Sequence, residues 1–191
     1  MKARVGLLWD TPQIFSRFLE DCNLCCEVVT PHLLAAPFYR RRFSLLIVPT
    51  GFGNPAYSRL LPALRASSAR IERYLERGGT MLVFGASVDR SDAYDWLPFH
   101  VTYHQNYGEH PVHFESEGYA SLLQGYDTGS IACDGYFPEY EGSVLARDES
   151  GQALLIAGEV EEGLSLITTF HEYPSRAFMG QFCDEKKEIL F

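Results

Sequence analysis

The chain has 191 residues, 46% of them hydrophobic, and a formal net charge of −9 from 16 Lys and Arg against 25 Asp and Glu. That length buries roughly 70% of the unfolded surface without disulfides or a structural metal, and the composition excludes a low-complexity or disordered chain. The acidic balance repels phosphate backbones and argues against a nucleic-acid partner.

Ala3 to Trp9 is an apolar, strand-length run cut by Asp10. It does not read as a signal peptide, and no apolar run in the chain approaches the ~20 residues of a membrane span. Five cysteines, an odd number, point to reduced thiols and a cytoplasmic location. Thr11 and Pro12 fit the cap and first position of a helix, which carries Ile14, Phe15, Phe18 and Leu19 at helical spacing. Cys26 to Thr30 reads as a short strand closed by Pro31, and the basic run Arg40-Arg41-Arg42 as a solvated loop.

Phe43 to Val48 is the clearest buried strand, broken by Pro49-Thr50-Gly51-Phe52-Gly53. Tyr57 to Arg77 predicts one long amphipathic helix with Leu60, Leu61, Leu64, Ile71, Tyr74 and Leu75 on its apolar face and a Gly78-Gly79 stop. Met81 to Phe84 is a further strand running into Gly85-Ala86-Ser87. Strands apolar on both faces and separated by helices imply a parallel sheet covered on both sides.

The second half changes character. Leu97 to Phe114 and Ile131 to Phe170 hold short alternating runs punctuated by glycine and aspartate. Val144 to Arg147, Ala153 to Glu159 and Leu164 to Phe170 form a meander with turns at Glu149-Ser150-Gly151 and Glu161-Glu162-Gly163, followed by a helix from Ser175 to Cys183. The expected fold is one α/β domain over 1–191, a three-layer flavodoxin-like sandwich whose mainly parallel sheet has an antiparallel C-terminal extension. Ligands of such sheets bind beyond the carboxyl ends of the strands. Asp10, Thr50, Gly51, Gly53, Gly85, Ala86, Ser87, His171 and Glu172 fall there.

The order of Leu45-Leu46-Ile47-Val48-Pro49-Thr50-Gly51, the long helix, Gly78-Gly79-Thr80-Met81-Leu82-Val83-Phe84-Gly85-Ala86 and a late Thr169-Phe170-His171-Glu172 resembles the class I glutamine amidotransferase-like superfamily. The resemblance spans roughly Val5 to Phe178. It implies a cysteine nucleophile at the strand-to-helix elbow, backbone amides that hold the oxyanion, and a late histidine with an orienting carboxylate. Carried over, Gly51 matches the oxyanion loop, His171 the base and Glu172 the acid, one residue closer to the histidine than the family's spacing. The nucleophile position falls on Gly85 or Ala86, neither of which can attack a substrate. Thiol chemistry needs a thiolate beside a base, so the usual glutaminase route is closed.

Other residues carry two readings each. Ser87 is a helix cap, or the nucleophile of a partial Gly-x-Ser elbow in which Asp89 replaces the second glycine. His171 is a loop hydrogen-bonding residue or a site residue. Cys133 is a second candidate nucleophile if its segment folds over the cleft. Within that segment Asp134 and Tyr136 are ligand fixings, or turn residues of an Asp-Gly loop. His104, His110 and His113 with Glu109 lack a recognised metal spacing and read as a surface strand. Cys22-x-x-Cys25 has no second pair, so Cys25 and Cys26 read as small apolar strand residues. Tyr94, Trp96, Tyr103 and Tyr107 suggest an exposed aromatic face for a homodimer. The leading expectation is a non-catalytic domain that binds a small polar metabolite or a partner protein in the former active-site cleft, with no metal or cofactor. The alternative is an amidase-type hydrolase using Ser87 or Cys133 with His171.

Overall fold

A computed structural model describes residues 2–184 and 186–191. In chain order the elements are β1 (Arg4–Leu8), α1 (Ile14–Asp21), β2 (Cys25–Val29), α2 (Pro31–Ala35), β3 (Arg42–Phe43), β4 (Leu45–Val48), α3 (Leu60–Ala66), α4 (Ser68–Glu76) and β5 (Thr80–Val83). Then come β6 (His104–His110), β7 (His113–Phe114), α5 (Glu117–Ala120), β8 (Ile131–Tyr136), β9 (Ser143–Arg147), β10 (Ala153–Val160), β11 (Gly163–Thr168), α6 (Arg176–Asp184) and β12 (Ile189–Leu190).

The central sheet has eight strands in the order β2-β1-β4-β5-β11-β10-β9-β7. The first five run parallel, and β10, β9 and β7 continue the sheet antiparallel. Both faces are covered, and the strand alternation shows why. Leu46 and Val48 of β4 enter one core with Leu60, Leu64, Ile71 and Tyr74 of α3 and α4. Leu45 and Ile47 enter the other with Phe15 and Leu19 of α1 and Phe178, Met179 and Phe182 of α6. Helix, sheet, helix is the flavodoxin-like sandwich expected from the sequence.

Several elements differ in detail. The helix expected over 57–77 is two, because Ser67 leaves helical geometry and donates its hydroxyl to the Leu34 carbonyl at 3.0 Å. The first helix begins at Ile14 behind Gln13 rather than at Thr11-Pro12. Pro31 opens α2 instead of merely closing a strand, since Thr30 caps it and proline fits a first helical position. Phe43 to Val48 divides at Ser44, so that Arg42 and Phe43 pair with β12 while Leu45 onward joins the central sheet. The segment read as an Asp-Gly loop is strand β8, paired with β6. A Cβ at Gly135 would stand 2.0 Å from the His104 carbonyl oxygen, so glycine there permits close strand approach rather than a turn.

The aromatic dimer face does not form as expected: Tyr94, Trp96 and Tyr103 are buried, and only Tyr107 of the four is exposed. No helix among the described residues is long and apolar enough to cross a membrane.

Candidate functional site

A cleft of about 500 Å³ opens at the carboxyl ends of the parallel strands. Thr50 and Gly51 follow β4, Ser87 follows β5, and His171 and Tyr173 follow β11; Gln13, just before α1, and Phe15 of α1 enter from the side of that helix. The opposite wall comes from the β6–β8 ribbon, which supplies Gln105, Tyr107 and Asp134. Of the residues singled out in the sequence, Thr50, Gly51, Ser87, Asp134 and His171 meet in this cleft.

The ribbon is docked by main-chain bonds. The Asp134 amide donates to the Thr169 carbonyl at 2.7 Å, and the His171 amide donates to the Ala132 carbonyl at 2.8 Å. This pairing sets the Asp134 side chain beside the imidazole, with Nδ1 of His171 3.2 Å from Oδ1 of Asp134. The carboxyl is buried while the imidazole is half exposed. Burial raises the Asp134 pKa above its ordinary value of 3.8; His171 and the Ser87 side chain pull it part of the way back, and Glu172 adds to the rise. The acid that meets His171 is therefore Asp134. Glu172, the expected partner, turns away and accepts a hydrogen bond from the Ala132 amide at 2.9 Å.

Asp134 also packs against Gly85. A Cβ at Gly85 would lie 2.5 Å from Oδ2 and 2.6 Å from Cβ of Asp134. The space where a side chain would leave Gly85 is filled by that carboxyl. Ala86 is no freer, since its methyl is fully buried in the core.

The backbone amides around the turn are engaged. Gly51 donates to the Gly85 carbonyl at 2.8 Å and Gly53 to the Ala86 carbonyl at 3.1 Å. The Tyr94 hydroxyl donates to the Phe84 carbonyl, and the Tyr103 hydroxyl to the Asp134 carbonyl, each at 2.9 Å. The Gly51 amide expected to hold an oxyanion is thus bonded inside the protein.

Ser87 caps no helix, because the chain continues in turns until β6. Its backbone adopts φ 49°, the left-handed region that a residue with a side chain rarely occupies. Asn54 fixes this turn by donating Nδ2 to the Ser87 carbonyl at 3.2 Å.

The remaining candidates lie elsewhere. Asp10 accepts from the Ser58 hydroxyl and the Arg59 amide, holding the start of α3. Tyr136 packs its ring against His104 at 5.0 Å between centroids. Cys133 is buried, bonded to the Ile131 carbonyl, and its thiol is pushed up to about 12 by desolvation, so it is no nucleophile over the cleft. Cys25 is exposed, contrary to its reading as a packed strand residue. His110 faces Asp148 at 3.8 Å, while His104 packs against Tyr136. Among the described residues no group of three or more His, Cys, Asp or Glu is placed to hold a metal ion. Gln13, Gln105 and Tyr173 are cleft residues that sequence reasoning missed. Their convergence depends on contacts between distant segments, and nothing local to them signals it.

No known protein-family model matches the chain, and no curated protein does. Solved structures are similar in fold. They include the cold-adapted β-galactosidase from Rahnella sp. R3, with 14% identity, a TM-score of 0.57 and coverage of 95% of this chain and 30% of that one. The β-galactosidase from Bacillus circulans sp. alkalophilus matches with 14% identity and a TM-score of 0.54, over 96% of this chain and 31% of that one. A protein from Salmonella typhimurium LT2, described as cytoplasmic, matches with 14% identity and a TM-score of 0.50 over 95% and 93% of the two chains. The chain spans about a third of the length of the two β-galactosidases. At this identity the likeness concerns the fold alone.

Proposed function

We propose that this chain is a non-catalytic domain of the class I glutamine amidotransferase-like kind that binds a small polar molecule in its former active-site cleft. The observation that carries this reading is the Asp134 carboxyl packed against Gly85, where the nucleophile's side chain would have to stand. The cleft itself persists, with His171 and Asp134 as a hydrogen-bonded pair on its wall. The engaged amides of Gly51 and Gly53 support the same reading, since acyl transfer relies on free donors aimed at a developing oxyanion. A cytoplasmic location is part of the proposal: all five cysteines are free thiols, as in a reducing compartment. Isothermal titration against amino acids, sugars and nucleosides tests it, with His171→Ala and Gln105→Ala as cleft variants. Binding that both variants weaken supports the reading. A ligand whose affinity neither variant changes overturns it.

One observation favours a second reading, a serine hydrolase. Ser87, Asp134 and His171 share one cleft and occur in the chain order nucleophile, acid, base that α/β-hydrolases use. Incubation with activated esters followed by mass spectrometry tests this. An acyl adduct on Ser87 that His171→Ala abolishes would replace the binding reading with a catalytic one.

A further inference from the structure

We infer that the cleft ligand is a neutral polyhydroxylated ring, of the cyclitol or unphosphorylated sugar class, rather than a charged metabolite. This deepens the proposed binding role and rests on it. Three independent features of the cleft carry the inference.

The first is charge. No lysine or arginine lines the cleft, and its one carboxyl, Asp134, is already paired with His171. A phosphate or carboxylate would find only the shared imidazole as counter-charge, beside an acid and within a chain of net charge −9. An organic cation would compete with that imidazole for the same carboxyl.

The second is the presence of orphaned hydrogen-bonding atoms of both kinds. Nε2 of Gln13, a donor, and Oδ2 of Asp134, an acceptor when ionised, are buried without a partner. Gln105 adds an amide that offers both a donor and an acceptor from the exposed side of the cleft. A simple cation donates only and a simple anion accepts only, whereas a hydroxyl does both and matches this mixture.

The third is the wall. Phe84 meets Phe15 edge-on at 5.8 Å, Phe15 stacks on Tyr173 at 4.5 Å and 11°, and Tyr107 stands edge-on to His171 at 5.9 Å. Flat apolar faces beside amide groups suit a ring with a C–H face and a hydroxylated rim.

The test is an amide chemical-shift titration of the isotope-labelled full chain, with myo-inositol and D-galactose as neutral probes. L-glutamine, choline and inorganic phosphate serve as charged ones. The expected result is saturable shifts at Gln105, Tyr107 and His171 with a neutral probe, weakened at least tenfold by Gln105→Ala and by Tyr107→Ala. Both positions are exposed, so these variants keep the fold, which circular dichroism checks. Saturation of the same residues by a charged probe alone overturns the ligand class and leaves the cleft-binding role standing. Absence of cleft shifts with all five probes overturns both.

Discussion

The imidazole Nδ1 of His171 and the carboxyl Oδ1 of Asp134 stand 3.2 Å apart although 37 residues separate them. Strand β8 lies antiparallel to the segment after β11, and this register alone brings the two together. The same carboxyl presses its other oxygen against Gly85. One side chain therefore pairs with the histidine and fills the space beside Gly85.

The Gly85 contact predicts that adding a side chain costs stability. Gly85→Ala is expected to destabilise the protein by about 1–3 kcal/mol, the usual cost of forcing a methyl into a filled site. Gly85→Cys should cost at least as much and yield no glutaminase activity. Because the clash is with Asp134 alone among the near contacts, Asp134→Ala should relieve it. The double variant Gly85→Ala/Asp134→Ala is then more stable than the sum of the single changes. Urea midpoints of the four proteins check this; strict additivity would show that the contact is relieved by small shifts elsewhere.

Two buried phenols brace the turn and the ribbon. Tyr103→Phe removes the hydroxyl that donates to the Asp134 carbonyl. A loss of about 1–3 kcal/mol is expected for orphaning a buried backbone acceptor. Tyr94→Phe should behave likewise at the Phe84 carbonyl. Thermal melts measure both effects. An unchanged midpoint in Tyr103→Phe would show that the phenol does not hold the ribbon.

The sequence makes the parallel half legible because β1, β4 and β5 are apolar on both faces and the helices between them carry apolar stripes. It misleads where a tertiary contact overrides local preference. Ser67 interrupts a continuous helical pattern because its hydroxyl finds the Leu34 carbonyl, a partner no local pattern reveals. Asp134-Gly135 looks like turn chemistry, yet the glycine serves close strand pairing and the aspartate serves His171. Glu172 adjoins His171 in sequence, but the Ala132 amide claims its carboxylate. The histidine, serine and glycine of the cleft are visible from strand ends. The identity of the acid depends on the register of β8, which sequence patterns do not encode.

Thiol reactivity separates the cysteines. Burial pushes Cys26, Cys133 and Cys183 up to about 12, and burial also raises Cys22. Cys25 is the exposed one. Iodoacetamide at pH 8 should therefore modify Cys25 first, with Cys133 and Cys183 protected until the protein unfolds. Peptide mass spectrometry over a time course follows the order. Rapid labelling of Cys133 in the native protein would mean the β6–β8 ribbon lifts from the sheet.

The pH dependence of stability follows from Asp134. Desolvation holds its folded-state pKa above the unfolded value, more strongly than His171 lowers it. The folded protein thus binds this proton more tightly than the unfolded chain. Stability from this site is fully present below the unfolded value of 3.8 and falls as pH rises through the raised folded value, then levels off. Asp134→Asn has no such titration, so the stability of the wild type relative to the variant should decline from about pH 3.5 toward neutrality. Urea unfolding of both proteins across that range reads the difference and cancels the titrations they share. A difference that instead grows with pH would mean that the imidazole pairing outweighs burial, and that the cleft holds a carboxylate stabilised by its histidine rather than one strained by its surroundings.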